Sequence, residues 1–167
     1  MKILIIAALL AATPVFTSSA WAETPKPANA PVVSPDGSLY RAFGGHDGLE
    51  RVVGDMYANI NADDRIKGFF EPAKQPHTKA MLVEQFCQIT GGGCTYSGKD
   101  MEKVHREMGI TRADFDALVE DLQKAMTKNH IPIAAQNQLL AALAPQNRVI
   151  VYKPRPEDSM SQGPVSK

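Results

Sequence analysis

A lone histidine stands four residues after a methionine in the segment Thr90 to His105, TGGGCTYSGKDMEKVH. Residues at positions i and i+4 share one face of a helix, so the soft apolar side chain of Met101 would lie beside the imidazole of His105. A neutral imidazole held against an apolar wall is what an iron porphyrin needs on its proximal side. The spacing alone is not specific, because a lone histidine on a mixed helix face is usually an ordinary surface or core residue.

The elements that must position this histidine have a helical hydrophobic period. Glycines at 91–93 end one apolar stripe, and Thr111 with Asp114 three residues later is typical of a capping box. Pro132 starts a last helix that Pro145 ends or bends. No alternating run is long enough to indicate a sheet, so the predicted fold is all-α. The helical stripes are Leu49, Val52, Val53, Met56, Tyr57 and Ile60; Met81, Leu82, Gln85, Phe86 and Ile89; Phe115, Leu118, Val119, Leu122, Ala125 and Met126; and Ile133, Leu139, Leu140 and Leu143.

The ends of the chain differ in composition from its centre. Residues 1–22 carry one lysine and an apolar run broken by Pro14, and Ala20 and Ala22 match a signal-peptidase site. We therefore expect a cleaved signal peptide, a periplasmic or secreted protein, and no stable membrane insertion after cleavage; a retained membrane anchor is the alternative. Residues 23–38 are predicted to be a disordered, proline-rich tether and residues 153–167 a disordered tail, which leaves 39–152 as one folded domain.

The charge balance is even, with 18 basic and 18 acidic residues among 167. Such a balance gives no reason to expect nucleic acid or an anionic membrane surface as a partner.

Four segments, taken together in their order and spacing, carry a family resemblance: FGGHDGLERVVGDMY, DDRIKGFF, TGGGCTYSGKDMEKVHREMGIT and FDALVEDLQKAM. The chain resembles a group I truncated haemoglobin, a bacterial-type globin, over nearly all of Leu39 to Val151. The resemblance implies a two-over-two helical sandwich around one haem b per chain. It also implies that His105 is the proximal iron ligand, with Met101 against the porphyrin, that Phe70 packs on the ring, and that Phe86 and Phe115 line the same apolar slot.

The distal side departs from the family pattern. Tyr57 falls where the family carries its distal tyrosine, whose phenol could donate a hydrogen bond to bound oxygen; a core tyrosine is the alternative. Family members commonly carry glutamine at the ligand-facing positions of the distal helix, where this chain has Thr78 and Leu82. A register slip of one helical turn would instead make Gln85 ligand-facing. His77 is expected to point outward, with a sixth-ligand role as the alternative.

The two cysteines, Cys87 and Cys94, lie on either side of the glycine turn. In an exported protein this pair predicts a disulfide, and two free thiols are the alternative. A zinc-like site would need two further ligands at suitable spacing, and none stands out. The C-x-x-C-H signature of covalent haem attachment is absent from the sequence.

The function that follows is reversible binding of oxygen and other diatomic gases, including nitric oxide and carbon monoxide. A second hypothesis is an enzyme that oxidises nitric oxide to nitrate, or a peroxidase-like haem enzyme, in either case supplied by an external electron donor. A third is a helical interaction or sensor domain without haem, which the joint presence of His105, Tyr57 and Phe70 disfavours.

Overall fold

The structure is a computed structural model that describes residues 29–153. The predicted signal peptide, residues 23–28 of the predicted tether and residues 154–167 of the predicted tail lie outside the described residues. All regular elements within 29–153 are helices, which confirms the all-α prediction, and none of these helices is long and apolar enough to cross a membrane. The helices are α1 Ser38–Ala42, α2 Gly45–Ala62, α3 Gln75–Ile89, α4 Met101–His105, α5 Arg112–Lys128, α6 Ile133–Leu143 and α7 Asn147–Ile150, with short 3-10 helices at Lys67–Phe69, Pro72–Lys74 and Ala144–Gln146.

Helix α2 is the centre of the fold and packs against both α3 and α5. Burying one large apolar side chain contributes about 1.5–3 kcal/mol, so the buried stripe of α2 is a main source of stability. Gly48 allows the backbone of Phe43 to pack directly against the first turn of α2, because a β-carbon at position 48 would overlap the carbonyl oxygen of Phe43. The buried stripe consists of Leu49, Val52, Val53, Met56, Tyr57 and Ile60.

The glycine turn ends α3 as the sequence predicted. Gly91 has a left-handed φ of 81°. The amide of Gly92 donates to the carbonyl of Cys87 at 2.8 Å, and that of Gly91 to Gln88 at 3.1 Å. These are the two hydrogen bonds of a Schellman motif, which satisfy carbonyls that the helix end would otherwise leave free. The chain therefore reverses sharply after α3.

Both helices that follow this turn have side-chain caps. Helix α5 has the predicted capping box, in which Thr111 and Asp114 exchange hydrogen bonds. Helix α4 has five residues, and the carboxylate of Asp100 accepts from the amide of Lys103 at 3.1 Å. Pro145 lies in the 3-10 helix after α6, so the chain bends there and continues into α7, which packs against α4.

The prediction of a disordered tether is wrong for residues 29–38, which pack against α3. Ala30 is 6% exposed, and its carbonyl accepts from the side-chain amide of Gln88 at 2.6 Å. The amide of Val33 donates to the carbonyl of Ile89 at 2.9 Å. Hydrogen bonds from α3 therefore order this part of the chain despite its proline-rich composition. We call residues 29–37 the pre-α1 segment.

Candidate functional site

His105 is the last residue of α4, and its imidazole is partly buried. Its Nδ1 lies 2.7 Å from the carbonyl oxygen of Met101. Because a carbonyl only accepts, Nδ1 carries the proton and Nε2 keeps its lone pair. Burial lowers the pKa of His105, and the hydrogen bond to Met101 opposes that change. A lowered pKa keeps the ring neutral to lower pH, and the neutral ring is the form that binds a metal ion.

Met101 contributes to this side of the site through its backbone and its side chain. The side chain is 9% exposed and lies outside the main hydrophobic cluster of the described residues. Its amide donates to the side-chain oxygen of Asn29 at 3.2 Å, while its carbonyl accepts from His105. The residue that orients the imidazole is thus itself held by the pre-α1 segment.

Tyr57 on α2 is fully buried, and its hydroxyl has no hydrogen-bond partner among the described residues. Its ring is nearly perpendicular to that of Phe70, with the ring centroids 5.7 Å apart, and the ammonium of Lys79 lies 5.0 Å from the Tyr57 ring centroid. Burial raises the pKa of Tyr57 to about 12, an effect that the nearby Thr78 side chain opposes. Leaving a buried donor unsatisfied costs about 1–3 kcal/mol, so a ligand that accepts from this phenol would recover that loss.

Thr78 and Leu82 lie on α3 and are both partly buried. The hydroxyl of Thr78 donates to the carbonyl of Lys74 at 3.0 Å. The phenol of Tyr57 is near Thr78 but makes no hydrogen bond to it in this structure. Leu82 packs against the hydrophobic core. The proton of the Thr78 hydroxyl is therefore engaged by the backbone carbonyl four residues earlier.

Gln85 and His77 on α3 are the alternatives to Thr78 and Leu82 as residues that face the ligand. Gln85 is 3% exposed, and its side-chain amide donates to the backbone carbonyl of Asn29. The structure thus gives no support to Gln85 as the ligand-facing amide. His77 is exposed, in agreement with its predicted outward direction.

The three predicted slot phenylalanines occupy different environments. Phe70 is partly buried and contacts Tyr57, and Phe115 is also partly buried. Phe86 is 2% exposed inside the main core cluster, where its place is that of a core residue. The structure therefore brings Phe70 to Tyr57, and Phe86 belongs to the same buried cluster as Tyr57.

A disulfide joins Cys87 to Cys94, with their α-carbons 5.7 Å apart. It connects the end of α3 to the loop that leads to α4. Two polar contacts that the sequence did not reveal act in parallel: Glu84 accepts from the Ser97 hydroxyl at 2.7 Å, and Gln88 accepts from a backbone amide of the same loop. Three links therefore hold this loop against the distal helix.

We expect the bond between Cys87 and Cys94 in the mature protein. Mass spectrometry of non-reduced protein recovered from the periplasm should show one cross-linked peptide pair, whereas two thiols open to alkylation without reductant would contradict the prediction. Because the closed loop is short, we expect the Cys87→Ala/Cys94→Ala protein to lose about 2 kcal/mol of unfolding free energy or less. Urea denaturation of both proteins measures this difference.

Comparison with known proteins identifies the family and the fold of this chain. The bacterial-like globin family matches residues 38–151. The group 1 truncated hemoglobin of Mycolicibacterium paratuberculosis is 35% identical over 108 residues, which cover 65% of this chain and 79% of that protein. The group 1 truncated hemoglobin of Synechocystis is 35% identical over 103 residues, which cover 57% of this chain and 80% of that protein. A crystal structure of the truncated hemoglobin of Tetrahymena pyriformis, 24% identical, has the same fold with a TM-score of 0.66, covering 70% of this chain and 99% of that one.

The all-helical fold and its match to the solved structure define a truncated globin with a two-over-two helical arrangement. The chain belongs to the bacterial-like globin family. It is accordingly a haem-binding globin, whose site is suited to oxygen and other diatomic ligands.

Proposed function

We propose that the protein holds one haem b per chain through Nε2 of His105 and binds oxygen, nitric oxide and carbon monoxide reversibly beside Tyr57. The observation that carries this proposal is the fully buried phenol without a partner. A buried donor without an acceptor destabilises a fold. The presence of the phenol at this position is therefore explained by a ligand that accepts its hydrogen bond. The neutral imidazole with a free Nε2 fits the proximal ligand of the same group.

Each side chain of the site has a separate task in this proposal. The haem supplies the iron at which a diatomic ligand binds. The carbonyl of Met101 keeps the His105 ring in one orientation by accepting from Nδ1. Phe70 packs nearly perpendicular to Tyr57 and so limits rotation of the phenol. Leu82 adds an apolar wall that keeps water from competing for the phenol proton.

Spectroscopy tests the proposal directly. The purified protein, loaded with haem and reduced, should show a globin Soret band at one haem per chain, and its pyridine adduct should have the spectrum of haem b. Repeated oxygenation and deoxygenation should return the starting spectrum. A protein that retains no stoichiometric haem would refute the proposal, and nitric oxide consumption far beyond one turnover with oxygen and reductant would replace it by an enzymatic function.

We also propose that residues 1–22 direct export and are removed, so that the globin works in the periplasm or outside the cell. The disulfide supports this location, because such bonds persist in oxidising compartments. Reversible oxygen binding needs the ferrous site, so we propose an external electron donor that restores it after oxidation. Intact mass of the periplasmic protein should correspond to a chain that begins at Glu23; an unprocessed chain in the cytoplasm would contradict export.

The substitution Leu82→Gln tests the distal pocket. It introduces an amide that can donate to a bound ligand and to the phenol oxygen of Tyr57, so we expect oxygen to dissociate severalfold more slowly. The cost of the added polar atoms should appear in stability rather than in haem content. Stopped-flow measurement of oxygen release gives the rate, with Leu82→Met as an apolar control of similar volume. Equal rates in the two variants would show that position 82 does not face the ligand.

A further inference from the structure

A continuous path of hydrogen bonds runs from α3 to the proximal histidine through one residue of the pre-α1 segment. The backbone carbonyl of Asn29 accepts from the side chain of Gln85. The side-chain oxygen of Asn29 accepts from the amide of Met101 at 3.2 Å. The carbonyl of Met101 then accepts from Nδ1 of His105 at 2.7 Å. The two Met101 groups flank the same α-carbon, so fixing one restricts the other.

Helix α4 depends on such outside support because it has only five residues. A helix of this length does not form alone in water, and the amides of its first turn have no partner within the helix. Asp100 accepts from the amide of Lys103, which leaves the amide of Met101 to be satisfied from elsewhere. Asn29 supplies that acceptor from a segment 72 positions earlier in the chain.

The placement of Asn29 is itself determined by buried contacts. Gln85 is 3% exposed, so its amide would lose its partner if the Asn29 carbonyl moved away. The next carbonyl, that of Ala30, is held by Gln88 at 2.6 Å, and Ala30 is buried. The side chain of Asn29 is thus presented to α4 from a fixed backbone.

We propose that Asn29 is a positioning residue for the proximal ligand: by holding the first turn of α4, it sets the direction from which the imidazole of His105 meets the haem iron. This inference rests on the proposed haem site. It assigns a role to a segment that precedes the region matched to the family, residues 38–151. The role is exerted through Met101, since Asn29 contacts the backbone of that residue rather than the histidine.

The iron–histidine stretching band in the resonance Raman spectrum of the reduced, ligand-free protein reports this geometry. In Asn29→Ala the acceptor is lost, so we expect the band to shift or broaden and haem transfer to an apoglobin acceptor to become severalfold faster. Asn29→Asp keeps an oxygen that accepts from the Met101 amide and should retain the wild-type band. Ser34→Ala is the matched control, because it removes an acceptor for the Leu39 amide within the same part of the chain and should lower the melting temperature without moving the band.

An Asn29→Ala protein with the wild-type band and the wild-type rate of haem loss would overturn the positioning role. A shift of equal size in Ser34→Ala would also overturn it, because the effect would then follow from general loosening of the segment. If Asn29→Ala does not fold, an Asn29→Asp protein whose band differs from wild type would contradict the role, and one with the wild-type band would support it. A wild-type protein with no iron–histidine band would refute the proposed ligation of haem by His105. Failure of the haem site is thereby distinguished from failure of the positioning role of Asn29.

Discussion

The His105→Ala protein is expected to lose stoichiometric haem. The imidazole of His105 is the proposed protein ligand to the iron, and its neutral state and orientation are already set by burial and by the Met101 carbonyl. Without it, the haem would be held only by apolar contacts, and we expect haem content to fall from one per chain to a small fraction. Absorption at the Soret band per mole of protein measures the loss. Free imidazole added to the variant should restore much of the wild-type spectrum, because it can occupy the space that the side chain leaves.

His77→Ala is the control for this experiment. His77 is an exposed histidine on α3, so its removal should leave the spectrum and the haem content unchanged. A changed spectrum in this variant would show that His77 is an iron ligand. A His105→Ala protein that keeps the wild-type Soret band and ferrous spectrum would show that the proximal assignment is wrong.

The Tyr57→Phe protein is expected to release oxygen about fivefold to a hundredfold faster than wild type. A hydrogen bond from the phenol to bound oxygen contributes about 1–3 kcal/mol, and each 1.4 kcal/mol is a factor of ten in the equilibrium, with most of the change in the dissociation rate. Carbon monoxide is a weaker acceptor, so its release should change less. Stopped-flow displacement of each gas gives both rates.

The same substitution separates a ligand-binding tyrosine from a core tyrosine. In the structure the Tyr57 hydroxyl has no partner, so its removal breaks no hydrogen bond and should not lower the unfolding free energy of the haem-free protein. Tyr96→Phe is the control, since its hydroxyl lies 3.2 Å from the Lys99 carbonyl in the loop before α4 and should not affect oxygen release. An unchanged oxygen rate in Tyr57→Phe, together with lower stability, would place Tyr57 in the core.

The features that follow from local sequence were predicted correctly. The hydrophobic period predicted the long helices, and the glycines predicted the reversal after α3. The spacing of Thr111 and Asp114 predicted the capping box. Each depends on residues within a few positions of one another, where backbone geometry and hydrogen-bonding capacity can be read directly.

The features that depend on distant contacts were not predicted. The pre-α1 segment has the composition of a linker, and its packing comes from Gln85 and Gln88, which lie more than 50 positions later. The sequence does not distinguish a glutamine whose side chain binds a ligand from one whose side chain donates to a backbone carbonyl. For the same reason the orphaned hydroxyl of Tyr57 could not be foreseen, because an unpaired group is defined by all of its neighbours.

In the proposed haem site, the anchored loop between α3 and α4 would also affect how quickly His105 returns to the iron after dissociating from it. The disulfide fixes the loop at Cys94 and Glu84 fixes it at Ser97, so residues 98–100 alone separate the last anchor from α4. A short connection keeps the local concentration of imidazole high and favours rebinding over capture by a competing base. Each doubling of the free length would cost about 0.6 kcal/mol, or about a threefold drop in that concentration. Loss of the contact between Glu84 and Ser97 would therefore act first on the rate of ligand exchange at the proximal side, because it lengthens the free connection before α4.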